Sequence, residues 1–195
     1  IDFAQSQTHQ NLLRAFAGES QARNRYTFAA GLAKKKNLQV SEGIFTFTAN
    51  QERAHAKVFY NLLQSVSGEN LRIDGTYPVE LYPELLQHLR SAQHNEYQEW
   101  DHDYKGFAKA AKEEGFEEIS HTFSMISEIE KTHGDRFGRF ADLLEQGKLF
   151  VSDVEVKWMC LNCGQIIDAT MAPAVCPVCK HPQGYFIRWE LAPFE

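Results

Sequence analysis

Two short motifs carry the strongest chemical signal in this chain: Glu52 with His55, and Glu130 with His133, each a Glu-x-x-His. Residues three apart on a helix share a face, so each carboxylate and its imidazole can address one point in space. Both motifs interrupt stripes that the helical period requires to be apolar: Phe45, Thr48, Glu52, His55, Phe59, Leu62, Val66, and Phe123, Ile126, Glu130, His133, Phe137, Phe140, Leu144. Every position of the second stripe lies 78 residues after its counterpart, the mark of an internally repeated helical hairpin. A buried carboxylate without a partner costs several kcal/mol or is forced neutral. The same intrusion twice in register calls for a reason beyond chance.

Two further helices supply intruders of the same kind. Glu19 follows Leu12 and Phe16 on one stripe, and Glu96 and Glu99 follow Leu85, Leu89 and Ala92 on another. Between residues 8 and 147 the apolar spacing alternates between three and four, with breaks at 36–38, 68–78 and 114–115. This predicts four long antiparallel helices, the middle break being a crossover of about ten residues. Glu19 lies 18 residues before Asn37 and Glu52 15 after it, while Glu96 lies 18 before Glu114 and Glu130 16 after. At a rise of ~1.5 Å per residue the mismatches are ~3–5 Å, which places all the donors at one level. One Glu from each of two helices and a Glu-x-x-His from each of the others is the ligand set of ferritin-like di-iron or di-manganese carboxylate bundles. Its oxygen-rich, imidazole-containing character suits iron or manganese better than zinc or copper. Glu99, three residues from Glu96, is a seventh donor able to compete with a histidine for one metal. Tyr26 and Tyr104 approach the same level, either to pack the core or to hydrogen-bond a ligand carboxylate. The other histidines, His9, His88, His94, His102, His121 and His181, are expected at the surface or behind the ligands.

The second chemical signal is Cys160-x-x-Cys163 and Cys176-x-x-Cys179, two knuckles that together form a tetrahedral thiolate site for iron or zinc. A tail of about 40 residues cannot build an adequate core by itself and needs such a staple. Trp158, Tyr185, Phe186 and Trp189 supply a miniature aromatic core. Spacing leaves the metal open: zinc would make a structural or protein-binding ribbon, and iron a one-electron carrier. All four cysteines and four of the six prolines fall in the tail, which divides the 195 residues into a bundle (1–147), a linker (148–157) and a small β- and turn-rich metal-ribbon domain (158–195).

The formal net charge of -6, spread through the chain, offers no basic stripe for nucleic acid or an anionic membrane. No apolar run approaches the ~18 residues that span a bilayer, and the polar start of the chain lacks a leader pattern, so a cytoplasmic protein is expected.

With FAGESQARNRY at 16–26, QERAHAKVF at 51–59, NEYQEW at 95–100, EIEKTHGDRF at 128–137, WMCLNCG at 158–164 and CPVCKHPQGYF at 176–186, the whole chain resembles the rubrerythrin family. The resemblance implies a ferritin-like bundle followed by a rubredoxin-like domain. It also implies a non-haem peroxidase that reduces hydrogen peroxide to water, for defence against oxidative stress. Electrons would come from an NAD(P)H-dependent rubredoxin reductase, or a rubredoxin, through an iron held by Cys160, Cys163, Cys176 and Cys179. Glu19, Glu52, Glu130 and either Glu99 or His55 would surround one iron, and Glu52, Glu96, Glu130 and His133 the other, with Glu99 and His55 exchanging with oxidation state. An iron–zinc or manganese pair in the bundle, and zinc in the thiolate site, are the alternatives. A homodimer, head-to-tail or helix-swapped at 68–78, would bring the two kinds of centre together. Gln165 and Gly134 depart from the family pattern, which commonly has Tyr and an acidic residue there. A ferroxidase or iron-storage protein, or an iron-sensing protein with a zinc ribbon, are the rival functions.

Overall fold

The structure, a computed structural model, describes residues 2–194. Helix α1 (Gln7–Lys35) starts where the Ser6 hydroxyl accepts from the His9 N–H at 3.0 Å. The carboxylate of Glu114, from the far end of the bundle sequence, accepts from the N–H groups of Gln7 and Thr8, both at 2.8 Å. These contacts satisfy donors that a helix start leaves free. Asn37, with φ of 58°, turns the chain into α2 (Gln39–Asn61). A tight second turn at Gly115 joins α4 (Tyr104–Glu113) to α5 (Glu117–Glu145).

The expected third helix is two segments, α3 (Leu85–Gln98) and α4, joined by a π-helical turn at Glu99–Asp103. The wider turn releases the Trp100 carbonyl, which accepts from the Ser127 hydroxyl of α5 at 2.7 Å. The repeat explains the extra residue. Glu19 and Tyr26 are seven residues apart, whereas their counterparts Glu96 and Tyr104 are eight apart. The π turn absorbs the difference and restores the 78-residue offset.

The crossover is longer than the sequence led us to expect: α2 ends at Asn61 and α3 begins at Leu85, so it spans 62–84, with one 3-10 turn at Gln64–Val66. Pro78 and Pro83 disfavour helix in the residues before them, which delays the third helix. The proposed linker is also different. Val151–Cys160 forms strand β1, pairing antiparallel with β2 (Ile166–Met171) and β3 (Phe186–Arg188) in the order β2-β1-β3. Val156, Trp158 and Cys160 alternate inward with period two, a strand signal that the helical pattern before it had masked.

The repeat survives in the packing. Phe45 meets Phe137 at 5.1 Å between ring centroids, and Phe59 meets Phe123 at 5.0 Å, so antiparallel α2 and α5 exchange equivalent positions across the bundle axis. Two apolar clusters flank the level of the carboxylates. One is built around Tyr26, Phe45, Leu89 and Phe137, the other around Leu12, Phe59, Tyr104 and Phe123. The first cluster also takes in Leu149, Ile187 and Ala192, which dock the tail on the end of the bundle at the α1–α2 turn. Trp158, Cys160, Ala172, Cys176 and Phe186 form the tail's own core, with Tyr185 against it; Trp189, expected there, lies in a separate 3-10 turn.

Candidate metal centre

Each helix delivers its donors inward because the intruding residues sit on the core stripe. Glu19 comes from α1, Glu52 and His55 from α2, Glu96 from α3, and Glu130 and His133 from α5; all six are buried. They fall into two overlapping groups of four. Glu19, Glu52, His55 and Glu130 each place a ligand atom within 4.8 Å of the others, and so do Glu52, Glu96, Glu130 and His133. Glu52 and Glu130 belong to both. The two imidazoles stack with centroids 5.5 Å apart and planes at 12°, one serving each group.

The fit to a pair of cations follows from what these atoms fail to do. His55 Nδ1 lies 2.8 Å from Glu130 Oε1, and His133 Nδ1 lies 2.7 Å from Glu52 Oε1 and 2.9 Å from Glu130 Oε2. Yet both nitrogens, and both oxygens of Glu52 and of Glu130, are buried without a hydrogen-bond partner among the described residues. Close approach without hydrogen-bond geometry means that lone pairs converge on shared points, the arrangement a cation requires. Of the other carboxylate oxygens, Glu19 Oε2 and Glu96 Oε2 are orphaned in the same way, and only the Oε1 of each is held by protein. Tyr26 donates its hydroxyl to Glu96, and Tyr104 donates to Glu19, a reciprocal pair of equivalent residues crossing the repeat. Both rings are buried, and burial with the facing carboxylates pushes both phenols well above their usual pKa, so they remain donors.

Glu99 stands apart. It opens the π turn, is half-buried, and lies in neither four-donor group; it lines a cavity of about 830 Å³ between α1, the α3–α4 segment and the crossover. Burial, then the Glu96, Glu130 and Glu52 charges, push its pKa well up, and Arg25 opposes them. Sequence reasoning missed the half-buried Arg25–Glu80 pair beside this cavity (2.7 Å). Glu80 is one of five charged residues in the crossover, and no spacing in the sequence singles it out. Among the other histidines, His9 and His88 are buried rather than exposed, His9 edge-on to Phe3 and His88 bonded through Nε2 to the Tyr82 carbonyl. Gly134 has a steric explanation: a Cβ there would lie 2.5 Å from the Tyr97 ring.

The electrostatics of the chain alone give a pH signature. Burial raises Glu96 to about 8, with the Glu52 charge adding to it. Burial would lower His133, but Glu130, Glu52 and Glu96 outweigh it and hold its pKa at about 12. In both cases the folded state binds more protons than the unfolded state above the unfolded pKa, so stability falls as pH rises. Glu52 is shifted the other way, and its contribution changes only at more acidic pH. Metal-free protein is therefore expected to melt at steadily lower temperature between about pH 5 and pH 8, whereas in protein loaded with a divalent metal the donors are already deprotonated and the melting temperature does not fall over that range. Thermal melts with and without metal test this; a flat metal-free profile would contradict it.

In the tail, the four Sγ atoms lie within 4.8 Å of one another as free thiols. The knuckles are built alike: Gly164 N–H donates to the Cys160 carbonyl at 2.8 Å, and Lys180 N–H to the Cys176 carbonyl at 3.0 Å. Burial pushes the Cys160 thiol up to about 12, while the His181 N–H draws Cys179 down to about 5. Among the described residues no helix is long and apolar enough to cross a membrane.

Known proteins match both parts of the chain in this order. A family profile for rubrerythrin matches residues 10–141, and one for the rubrerythrin rubredoxin-like domain matches 158–187. A rubrerythrin of Porphyromonas gingivalis is 42% identical over 93% of this chain and 89% of its own length. One of Nitratidesulfovibrio vulgaris is 40% identical over 94% of this chain and 97% of its own. A solved structure of nigerythrin in a mixed-valence state superposes with a TM-score of 0.62 at 25% identity, covering 97% of this chain and 94% of that one. The ferritin-like bundle and the four-cysteine ribbon are thus shared with whole relatives, and the chain belongs to the rubrerythrin family.

Proposed function

We propose that the chain is a non-haem di-iron peroxidase that reduces hydrogen peroxide to water with electrons that enter through iron in its four-cysteine site. The observation that carries this reading is the pair of overlapping, buried four-donor groups sharing Glu52 and Glu130, joined in one chain to a four-thiolate group. Glu19 and His55 complete one iron site and Glu96 and His133 the other, while Glu99 alternates with His55. When bound, the two irons supply two electrons and Lewis acidity to cleave the O–O bond. The protein's part is to orient and to relay protons. The Tyr26 and Tyr104 hydroxyls fix the outer oxygens of Glu96 and Glu19 and hold a proton at each Oη. The cavity ending at Glu99 and Tyr104 gives peroxide a way in, and the apolar clusters on either side keep bulk water from the ligands.

Electron supply favours a head-to-tail homodimer. The tail docks by the α1–α2 turn, and Glu52 lies 15 residues along α2 from Asn37. That is ~20 Å at the helical rise, awkward for transfer within one chain. On the outer α1–α2 face, Arg23, Arg53 and Lys57 line a groove with Ser20 and Ala56, the neighbours of Glu19 and His55. None of the three cations has an ion-pair partner among the described residues, and an anionic iron–tetrathiolate module from a second copy would match them. Four helices of a single chain complete the bundle site, so a helix swap is not required. An NAD(P)H-dependent reductase, directly or through a rubredoxin, would feed the thiolate iron in the cytoplasm.

The test is to measure metal content and visible spectrum, then follow re-oxidation of fully reduced protein by peroxide and by dioxygen. A red ferric-thiolate band with oxidation by peroxide much faster than by dioxygen is expected. A colourless zinc-bound ribbon, or consumption of ferrous iron in large excess over protein, would overturn the reading.

A further inference from the structure

We infer that Arg25 is a positioning residue: it is the counter-charge that receives the Glu99 carboxylate when that group is off the metals, and Glu80 sets how strongly it does so. This rests on the reading above that Glu99 alternates with His55.

The ion pair is placed for such a task. Arg25 and Glu99 line the same cavity, and Glu99 makes no hydrogen bond among the described residues. The carboxylates Glu52, Glu96 and Glu130 repel it, and Arg25 is the cation whose field acts on it in the other sense. Arg14, the other cation of the cavity, is engaged by both oxygens of Asp74, at 2.9 and 3.1 Å. Arg25 is only half engaged: its Nε donates to Gln21 and its Nη1 to Glu80, and Nη2 has no partner among the described residues. The head of Glu80 is fixed in turn, accepting from the Ser91 hydroxyl and from Asn95 Nδ2 at 2.8 Å, both on α3.

Fastening the crossover does not by itself explain this arrangement. Arg14 and Asp74 already tie it to α1 as an exposed pair, with side chains 31% and 68% accessible. The Arg25 and Glu80 side chains are 12% and 5% accessible, so their pairing carries a desolvation penalty that a surface pair avoids. A held guanidinium with one free edge, in the cavity that Glu99 faces, accounts for burying it. Glu99 lies outside both metal groups and Nη2 is free of it, so Arg25 acts on the withdrawn carboxylate through its charge across the shared cavity rather than through a hydrogen bond.

The charge balance fixes the sign of the effect. Arg25 stabilises withdrawn Glu99, hence the reduced site in which His55 takes its place, and raises the midpoint potential of the bundle irons. Arg25→Gln is expected to weaken withdrawal about tenfold, lowering that potential by about 59 mV for a one-electron couple. Arg25→Lys should restore most of the shift. Glu80→Gln, which frees the guanidinium for Glu99, should move the potential the other way. A merely structural pair would give shifts of one sign, or none, in both Arg25→Gln and Glu80→Gln. Redox titration of the loaded variants, with the thiolate iron as internal reference, and crystal structures of the oxidised and reduced forms make the test. Reduced Arg25→Gln with Glu99 still on the metal supports the proposal. Unchanged potential, with Glu99 withdrawn as in the parent, overturns it. If parent Glu99 occupies one position in both oxidation states, the exchange itself fails and the proposal falls with it; if parent Glu99 moves and the variants do not differ, only the role of Arg25 fails.

Discussion

Glu52→Ala is expected to leave the bundle unable to hold its metal pair and to lower peroxide turnover by roughly a thousandfold or more. Glu52 belongs to both four-donor groups, so one substitution removes a ligand from each. Its Oε1 lies 2.7 Å from His133 Nδ1 and its Oε2 lies 3.6 Å from His55 Nδ1, so the carboxylate spans the two imidazoles. The three donors left in each group would share only Glu130, with nothing opposite it to offset the mutual repulsion of two cations. Glu19→Ala makes the contrast, because Glu19 belongs to one group. That variant should retain about one metal ion in the bundle, held by the His133 group. Elemental analysis gives iron per chain, stopped-flow mixing of reduced protein with peroxide gives the rate, and the thiolate band shows that the tail remains loaded. Parent iron content and rate in Glu52→Ala would mean that the shared carboxylate is not a bridge.

The bundle was legible because its donors break a pattern. Glu52, His55, Glu130 and His133 stand where the 3.6-residue period demands apolar side chains, and counting from the hairpin turns places Glu19 and Glu96 beside them. The cysteine knuckles were legible for the opposite reason, a dense local spacing that needs no fold to be recognised. The division of labour around Glu99 was less visible. On an unbroken helix Glu99 is simply i+3 from Glu96; here it opens the π turn, lines the cavity and lies outside both four-donor groups, while His55 lies in one. The slip from seven to eight residues between the Glu and Tyr of the two hairpins contained that information, since an insertion inside a helix that keeps its ends in register must widen a turn. Arg25 and Glu80 carried no periodic signature at all. Their pairing depends on how the 62–84 crossover lies across α1 and α3, and a connection without a repeating pattern does not reveal its path.

Gly184→Ala should separate the two halves of the reaction without damaging either centre. Gly184 sits in the 3-10 turn Gln183–Tyr185, and a Cβ there would lie 1.9 Å from the Asn37 carbonyl oxygen and 2.5 Å from Gln39 Oε1. A side chain such as Gln39 can swing aside, but the Asn37 backbone is held by hydrogen bonds from Asn37 N–H to the Lys34 carbonyl and from Leu38 N–H to the Ala33 carbonyl, each at 3.0 Å. The α1–α2 turn therefore cannot yield, and the tail must lift from the bundle, drawing Ile187 and Ala192 out of the apolar cluster they share with Phe45 and Phe137. Overpacking of this kind costs about 1–3 kcal/mol, which in a chain of this size lowers the melting temperature by roughly 2–12 °C. The bundle donors and the four thiols lie outside the contact, so both metal loads should remain. Reduced Gly184→Ala should then be oxidised by peroxide at the parent rate, while steady-state turnover driven by an external reductase falls, because the displaced tail no longer presents its iron to a second copy's bundle in the orientation that docking sets. An unchanged melting temperature would show that the contact is not tight, and an equal fall in both rates would show that the tail does more than deliver electrons.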